Sequence, residues 1–212
     1  MKPEIVVLSK ALDELSEFTS PQRLARSHPL WADDIKICGP WRDHKLRLRG
    51  DDHDVVVSEA DIPITAPVWL AGPSGSAFDV YWRLAREALF PPWSSLLTVS
   101  QSSGRGQLRR PWTSPPGNVY AVFTWPETPG PACSGAEGGS PGCSFAQLSP
   151  MIVGLGLCRA FDDLGLDLRL KWPNDLLLND RKVGGVLLEE RGGVVAAGVG
   201  LGASTLAESD AF

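Results

Sequence analysis

The chain has 212 residues, 43% of them apolar and 21% charged, with a net charge of −5. That is length and apolar content for one large domain, or one domain plus an appendage, and it excludes global disorder. The acidic balance excludes nucleic-acid binding by bulk electrostatics but leaves room for a local basic pocket. No run approaches the roughly 18 apolar residues of a membrane span. The charged N-terminus, MKPEIVVLSKALDELSEF, lacks a signal-peptide core, so the expectation is a soluble, cytoplasmic protein with no membrane partner.

Residues 4–18 read as a short amphipathic helix. KLRLRGDDHDVVVSEADI reads as two strands joined by a polar turn. No helix-turn-helix is visible, so residues 1–66 stand as an N-terminal segment of unassigned role, and no DNA partner is expected. His28, His44 and His53 are scattered as surface or turn residues. Cys38, Cys133, Cys143 and Cys158 have no zinc-like spacing. Cys158 falls in an apolar helical run as a core residue. Cys133 and Cys143 share a Gly/Pro/Ser-rich loop, where reduced thiols suit a cytoplasmic protein and a disulfide stays open.

From residue 68 the pattern sharpens. PVWLAG is a strand. SAFDVYWRLAREAL is a helix capped by Ser74 or Ser76, with Val80, Leu84, Ala88 and Leu89 on one face. SSLLTVSQ is a strand, SGRGQLRRPWTSPPGN a long loop, and NVYAVFTW an alternating strand. Residues 126–148 read as loop. Ser149-Pro150 then supplies an N-cap followed by proline at the first helical position, and Gly165 stops the helix. LDLRLKW is a strand, with Trp172-Pro173 holding the chain extended after it. DLLLND and RKVGGVLLEE make a hairpin with Asn179-Asp180 near its turn. VVAAGVGLG follows the Arg191-Gly192-Gly193 turn.

Two stretches carry polar residues that folding alone does not require. In the first, Arg105, Arg109 and Arg110 stand among Gly104 and Gly106. Glycine backbone and guanidinium groups together make an anion cradle, and Trp112 is placed to cover an apolar or aromatic ligand. A plain basic surface loop has the same composition. In the second, KWPNDLLLNDRKVGGVLLEE, Asn174 and Asp175 stand at a strand end, Lys182 returns on the facing strand, and Gly184-Gly185 leave room against backbone. A hairpin with exposed charges and a glycine bulge is the competing reading.

Taken together, QSSGRGQLRRPWTSPPGNVY, KWPNDLLLNDRKVGGVLLE, SAFD and GVGLG resemble, in order, the signatures of biotin protein ligases, over about residues 68–205. The spelling Trp-Pro-Asn-Asp resembles the biotin branch more than the lipoate ligases and octanoyltransferases. The resemblance implies an α+β fold, with a mixed, largely antiparallel sheet packed with helices, of the class II synthetase-like type. It implies a catalytic domain over residues 67–212 without the family's usual C-terminal β-barrel domain. It also implies an ATP-dependent enzyme that makes biotinyl-5′-AMP, with Mg2+, and passes biotin to a lysine of a biotin carboxyl carrier protein.

By position, the resemblance gives Lys182, Arg105 and Arg110 the catalytic roles. Biotin would be held by Ser76, Ala77, Gln101, Gly104, Arg105, Trp112, Lys182, Gly185 and Gly198. ATP would be held by Arg105, Gly106, Gln107, Arg110, Asn174 and Asp175, with Asp175 on the magnesium side. The chain departs from the family pattern at several positions. Gln107 stands where many members have arginine, Arg109 where glycine is common, Ala77 for threonine and Gly202 for asparagine. A non-catalytic or weakly active biotin-binding sensor or adaptor, and a lipoate or octanoate ligase of the same superfamily, are the other readings. The sequence leaves open whether the protein acts as a monomer or a homodimer.

Overall fold

Short β-branched runs with period-two alternation form strands, and the chain sets ten of them side by side in one sheet. The computed structural model describes residues 4–9, 16–17, 19–48, 54–60, 62–126 and 145–202. The strands are β1 (Ile5–Leu8), β2 (Trp41–Leu46), β3 (Val55–Ala60), β4 (Val68–Ala71), β5 (Ser95–Thr98), β6 (Gln101–Arg105), β7 (Pro111–Ser114), β8 (Val119–Thr124), β9 (Arg169–Lys171), β10 (Asp175–Leu178), β11 (Arg181–Arg191) and β12 (Val194–Leu201). The large sheet runs β2-β3-β1-β4-β5-β8-β12-β11-β10-β9, and β6 and β7 form a separate hairpin. In the large sheet, β1 pairs with β4, and β4 with β5, in parallel; the other pairings are antiparallel. This is the mixed, largely antiparallel α+β architecture expected from the sequence.

The helices are α1 (Pro21–Ser27), α2 (Pro29–Cys38), α3 (Ala77–Ala85) and α4 (Phe145–Asp162). Helix α3 covers one face. Its Val80, Tyr81 and Leu84 are buried with Val6 and Leu8 of β1, Trp69 and Ala71 of β4, Leu96 of β5 and Val122 of β8. One residue along, side chains point to the other face. There Val7 and Leu70 pack with Leu24 of α1 and Ile35 of α2. Ala197 and Val199 pack with Val153 and Cys158 of α4. Burying each Val- or Leu-sized side chain is worth about 1.5–3 kcal/mol. The N-terminal strands are therefore a substantial part of the core, and the sheet runs without a break across residues 66 and 67.

The structure differs from the sequence reading at identifiable points. Residues 5–8, read as part of a helix, are strand β1; its Val6, Val7 and Leu8 are all buried, so both faces are covered and the alternation that marks a strand is erased. Helices α1 and α2 are absent from the sequence reading. Their signals are Ser20-Pro21 and His28-Pro29, in which Ser20 Oγ accepts from Arg23 N at 3.2 Å and His28 Nδ1 from Leu30 N at 3.3 Å. The same kind of signal misleads at Ser149-Pro150, because α4 already begins at Phe145 and Pro150 lies inside it. The long Gly/Arg loop is instead the β6–β7 hairpin, closed by a short 3-10 turn over Gln107–Arg109. Trp172 to Asn174 form a tight turn between β9 and β10, with a cis Trp172–Pro173 bond, rather than extended chain. Ala88 is exposed in the left-handed region past the end of α3. Asn179 and Asp180 do form the β10–β11 turn, with φ of 49° and 59°. Cys158 is buried as expected, whereas Cys133, Cys143 and His53 lie outside the described residues.

Both tyrosines of the chain are buried and hydrogen-bonded. Tyr81 Oη lies 2.8 Å from Thr124 Oγ1, and Tyr120 Oη donates to Pro115 O at 2.9 Å. Burial pushes both phenols above the ordinary value of 10.0, more than their hydrogen bonds lower them. A raised folded-state pKa means that the folded protein holds these protons longer than the unfolded chain does. Their contribution to stability is full below about pH 10, the unfolded value, and is lost as pH rises through the folded value. In an alkaline titration, phenolate absorbance should lag behind that of the denatured chain; coincident curves would contradict the burial. Glycine substitution separates two environments. A Cβ on Gly184 would stand 2.5 Å from Gly200 O, whereas one on Gly156 meets nothing within 4 Å. In denaturant titrations, Gly184→Ala should lose about 1–3 kcal/mol by overpacking. Gly156→Ala, on the exposed side of α4, should gain up to about 1 kcal/mol.

Candidate functional site

Strand parity decides which side chains share a face, and one irregularity sets it here. Leu176 of β10 pairs with Gly184 of β11, but the next residue, Leu177, pairs with Lys182. Val183 is left without a β10 partner, as in a β-bulge. Val183 and Gly184 therefore both turn toward the α4 side, where Val183 is buried and Gly184 lies opposite Leu201. Lys182 and Gly185, three residues apart, both reach the α3 side and line the same cavity. In a regular strand they would face opposite ways.

The cavity has a volume of about 390 Å³, within the range of small-molecule sites. Its floor is sheet backbone. Gly185 of β11 pairs with Gly200 of β12, and Gly198 lies two residues before Gly200 on the same face. A Cβ on Gly198 would collide with the Phe78 ring, and one on Gly200 would stand 2.8 Å from Trp112 Nε1. Tyr120, Val122 and Leu187 extend the floor on either side. The roof is the β6–β7 hairpin, which brings Gln101, Arg105, Gly106, Gln107, Arg110 and Trp112 to the cavity; α3 adds Ala77, and the β9–β10 turn adds Asn174 and Asp175.

At one end of the cavity Lys182 Nζ lies 2.6 Å from Asp175 Oδ1 and 5.4 Å from the centre of the Trp112 ring. Asn174 Nδ2 donates to Val186 O at 2.8 Å and so ties the β9–β10 turn to β11. At the other end Gln101 holds the first turn of α3. Its Oε1 accepts from Ala77 N at 2.8 Å, and its Nε2 donates to Ser114 Oγ at 2.8 Å. This is the cap that the sequence assigned to a serine. Ser76 occupies the N-cap position, but its hydroxyl makes no cap bond and is buried with no partner among the described residues.

Arg105 is a paired cation. Its Nη1 and Nη2 donate to the two Asp79 carboxylate oxygens at 3.0 and 2.9 Å, and Nη2 lies 3.2 Å from Glu189 Oε1. Burial works against its charge, but the hydrogen bonds and charges of Asp79 and Glu189 more than offset it and raise the pKa above the ordinary arginine value. Glu189 also accepts from Trp82 Nε1 at 2.8 Å and pairs with Arg191 at 3.1 Å. Arg110 is exposed on the hairpin, and among the described residues no carboxylate pairs with it.

Of the residues singled out in the sequence, twelve line this one cavity: Ala77, Gln101, Arg105, Gly106, Gln107, Arg110, Trp112, Asn174, Asp175, Lys182, Gly185 and Gly198. Ser76 and Gly104 stand behind its wall; a Cβ on Gly104 would meet Trp112 O at 2.5 Å, so that glycine lets the hairpin strands close on each other. Sequence reasoning missed Phe78, Tyr120, Gly200 and the pair Asp79–Glu189. Gly200 was readable, since it repeats Gly198 at strand period. Glu189 was not, because nothing local to it points to Arg105. For Mg2+, Asp175 is the one carboxylate among the lining residues, and no cluster of three metal-ligating groups occurs among the described residues. A single carboxylate shared with substrate phosphates suits Mg2+, which keeps several waters and needs no protein cage.

Residues 82–205 match the model of the biotin/lipoate A/B protein ligase family. The biotin–[acetyl-CoA-carboxylase] ligase of Paracoccus denitrificans is 38% identical over 149 residues, which are 66% of this chain and 49% of that protein. The bifunctional ligase/repressor BirA of Escherichia coli (strain K12) is 35% identical over 118 residues, covering 51% of this chain and 33% of that protein. The biotin protein ligase from Leishmania major in complex with biotinyl-5-AMP superposes with a TM-score of 0.50 at 28% identity, over 63% of this chain and 56% of that one. The chain thus spans about half the length of the first of these curated relatives and a third of the second. With more than half of its length matched by the family model, and with its fold and motifs in agreement, the chain belongs to the biotin/lipoate A/B protein ligase family.

Proposed function

We propose that the chain is a biotin protein ligase: it joins biotin to ATP, releasing pyrophosphate, and transfers the biotinyl group from biotinyl-5′-AMP to a lysine of a biotin carboxyl carrier protein. The observation that carries this reading is the convergence of Lys182, Arg110 and Trp112 on one glycine-floored cavity. The relatives named above support the choice of biotin.

The first step brings a carboxylate against a polyphosphate. Two like charges 4 Å apart near a protein surface repel by about 4 kcal/mol, close to three powers of ten in rate. Lys182 and Arg110 are the cations available to offset this, because Arg105 is already matched by two carboxylates. Lys182 exchanges Asp175 for the biotin carboxylate and then stays beside the acyl oxygen, where negative charge develops as the acceptor amine attacks and AMP departs. Asp175 and Asn174 lie on the nucleotide side; Mg2+ bound there would supply charge neutralisation of the phosphates. Trp112 and the bare backbone of Gly198 and Gly200 enclose the apolar part of biotin, and the hairpin excludes water from the adenylate. Ala77, in place of a hydroxyl-bearing residue, leaves backbone groups and Gln101 to meet the ureido end.

Pyrophosphate release with ATP, magnesium and biotin should be biotin-dependent, with lipoate or octanoate giving little turnover. Lys182→Ala should lower the rate by about 100- to 1000-fold, the loss typical when one preorganised stabilising group is removed. Release driven by lipoate or octanoate instead would move the assignment to the other branch of the family. Saturable biotin binding without any release would make the protein a biotin sensor.

A further inference from the structure

Arg105 sits where three walls of the cavity meet, joining β6 to α3 through Asp79 and to β11 through Glu189. The side chains of Arg105 and Asp79 are each 34% exposed, and that of Glu189 is 21% exposed, so the group is half-buried and fixed by bidentate geometry rather than by charge alone. Arg191 closes the group, with its guanidinium 5.0 Å above the Trp82 ring and its charge on Glu189. Two carboxylates thus face two guanidinium groups, and the four charges balance. The β6–β7 pairing is irregular between Gln101 and Gly104, and on either side of that irregularity Gln101 and Arg105 both grip the first turn of α3, at Ala77 N and at Asp79.

We propose that Asp79 is a positioning residue of the site: by holding Arg105 between itself and Glu189, it fixes the β6–β7 hairpin at the height over the glycine floor at which Trp112 and Gln101 close the biotin end. The proposal rests on the biotin reading above and refines it. Arg105, the arginine of the Gly-Arg-Gly motif, then acts as a strut, and Lys182 and Arg110 carry the anion chemistry.

The two roles for Arg105 predict different signs. Asp79→Asn leaves an unmatched positive charge in the site, and Arg105→Ala removes one. If Arg105 is a strut, both variants weaken biotin binding in calorimetry by about tenfold, and the double variant is no worse than either single one. Both also shift pyrophosphate inhibition in the same direction. Hydrogen exchange of residues 101–114 in the ligand-free protein rises in both, at temperatures below their measured melting points. Opposite shifts in pyrophosphate inhibition, tighter for Asp79→Asn and weaker for Arg105→Ala, would overturn the proposal and make Arg105 an anion ligand. Additive losses of biotin affinity would overturn it too. If wild-type protein binds no biotin, the biotin reading fails, and hydrogen exchange alone decides for the strut: an unchanged hairpin in Asp79→Asn removes it.

Discussion

The floor of the cavity is bare backbone. Gly185, Gly198 and Gly200 occupy neighbouring positions on β11 and β12, and Cβ atoms at Gly198 and Gly200 would enter space that the Phe78 and Trp112 rings fill. A sheet ordinarily presents side chains on both faces, which would hold a flat ligand several ångströms off the backbone. Here their absence on one face makes a trough. The bulge at Val183 makes it chemically useful, because it brings Lys182 onto the glycine face while keeping Val183 and Gly184 in the packing beneath α4. Remove the bulge, and either the lysine or the glycine leaves the site.

Charge is divided between two groups of residues with different tasks. Asp79, Arg105, Glu189 and Arg191 pair with one another and tie hairpin, helix and sheet together. Among the described residues Lys182 has a single carboxylate partner, and it is about half-exposed, so exchanging that partner for another carboxylate costs little desolvation. A rigid frame with balanced charges thus surrounds a cation that is easily reassigned. The N-terminal strands support the frame from the other end of the sheet, where β1 lies parallel to β4 and its Val6 and Leu8 pack with α3, the helix whose first turn anchors the hairpin.

Much of this was legible in the sequence. The alternation in NVYAVFTW and VVAAGVGLG gave β8 and β12, and the pairing of KWPND with a following lysine and double glycine marked the site. Residues whose environment is local were read well: Asn179-Asp180 as the turn, Cys158 as core. What escaped depends on distant partners. Gln101 lines the cavity as expected, but nothing nearby shows that it also caps a helix 24 positions earlier in the chain. The ion pairs of Arg105 with Asp79 and Glu189 were hidden because Glu189 is far away in sequence. Ile5–Leu8 looked helical because a strand covered on both faces loses its alternation. The hairpin β6–β7 looked like loop because its glycines, prolines and arginines lack β propensity, and it is held by packing of Trp112 on glycine instead.

The central claim is that the cavity lined by Trp112 and the glycine floor receives biotin. Calorimetric titration of biotin into wild-type protein and into Gly200→Ala tests it most directly, since that one methyl group enters the trough 2.8 Å from Trp112 Nε1 and leaves the charged residues in place. Saturable binding at one site in the wild type, weakened about tenfold or more in the variant at a temperature where both proteins are folded, is the predicted result. Equal affinity in the two proteins would contradict the account and place biotin elsewhere.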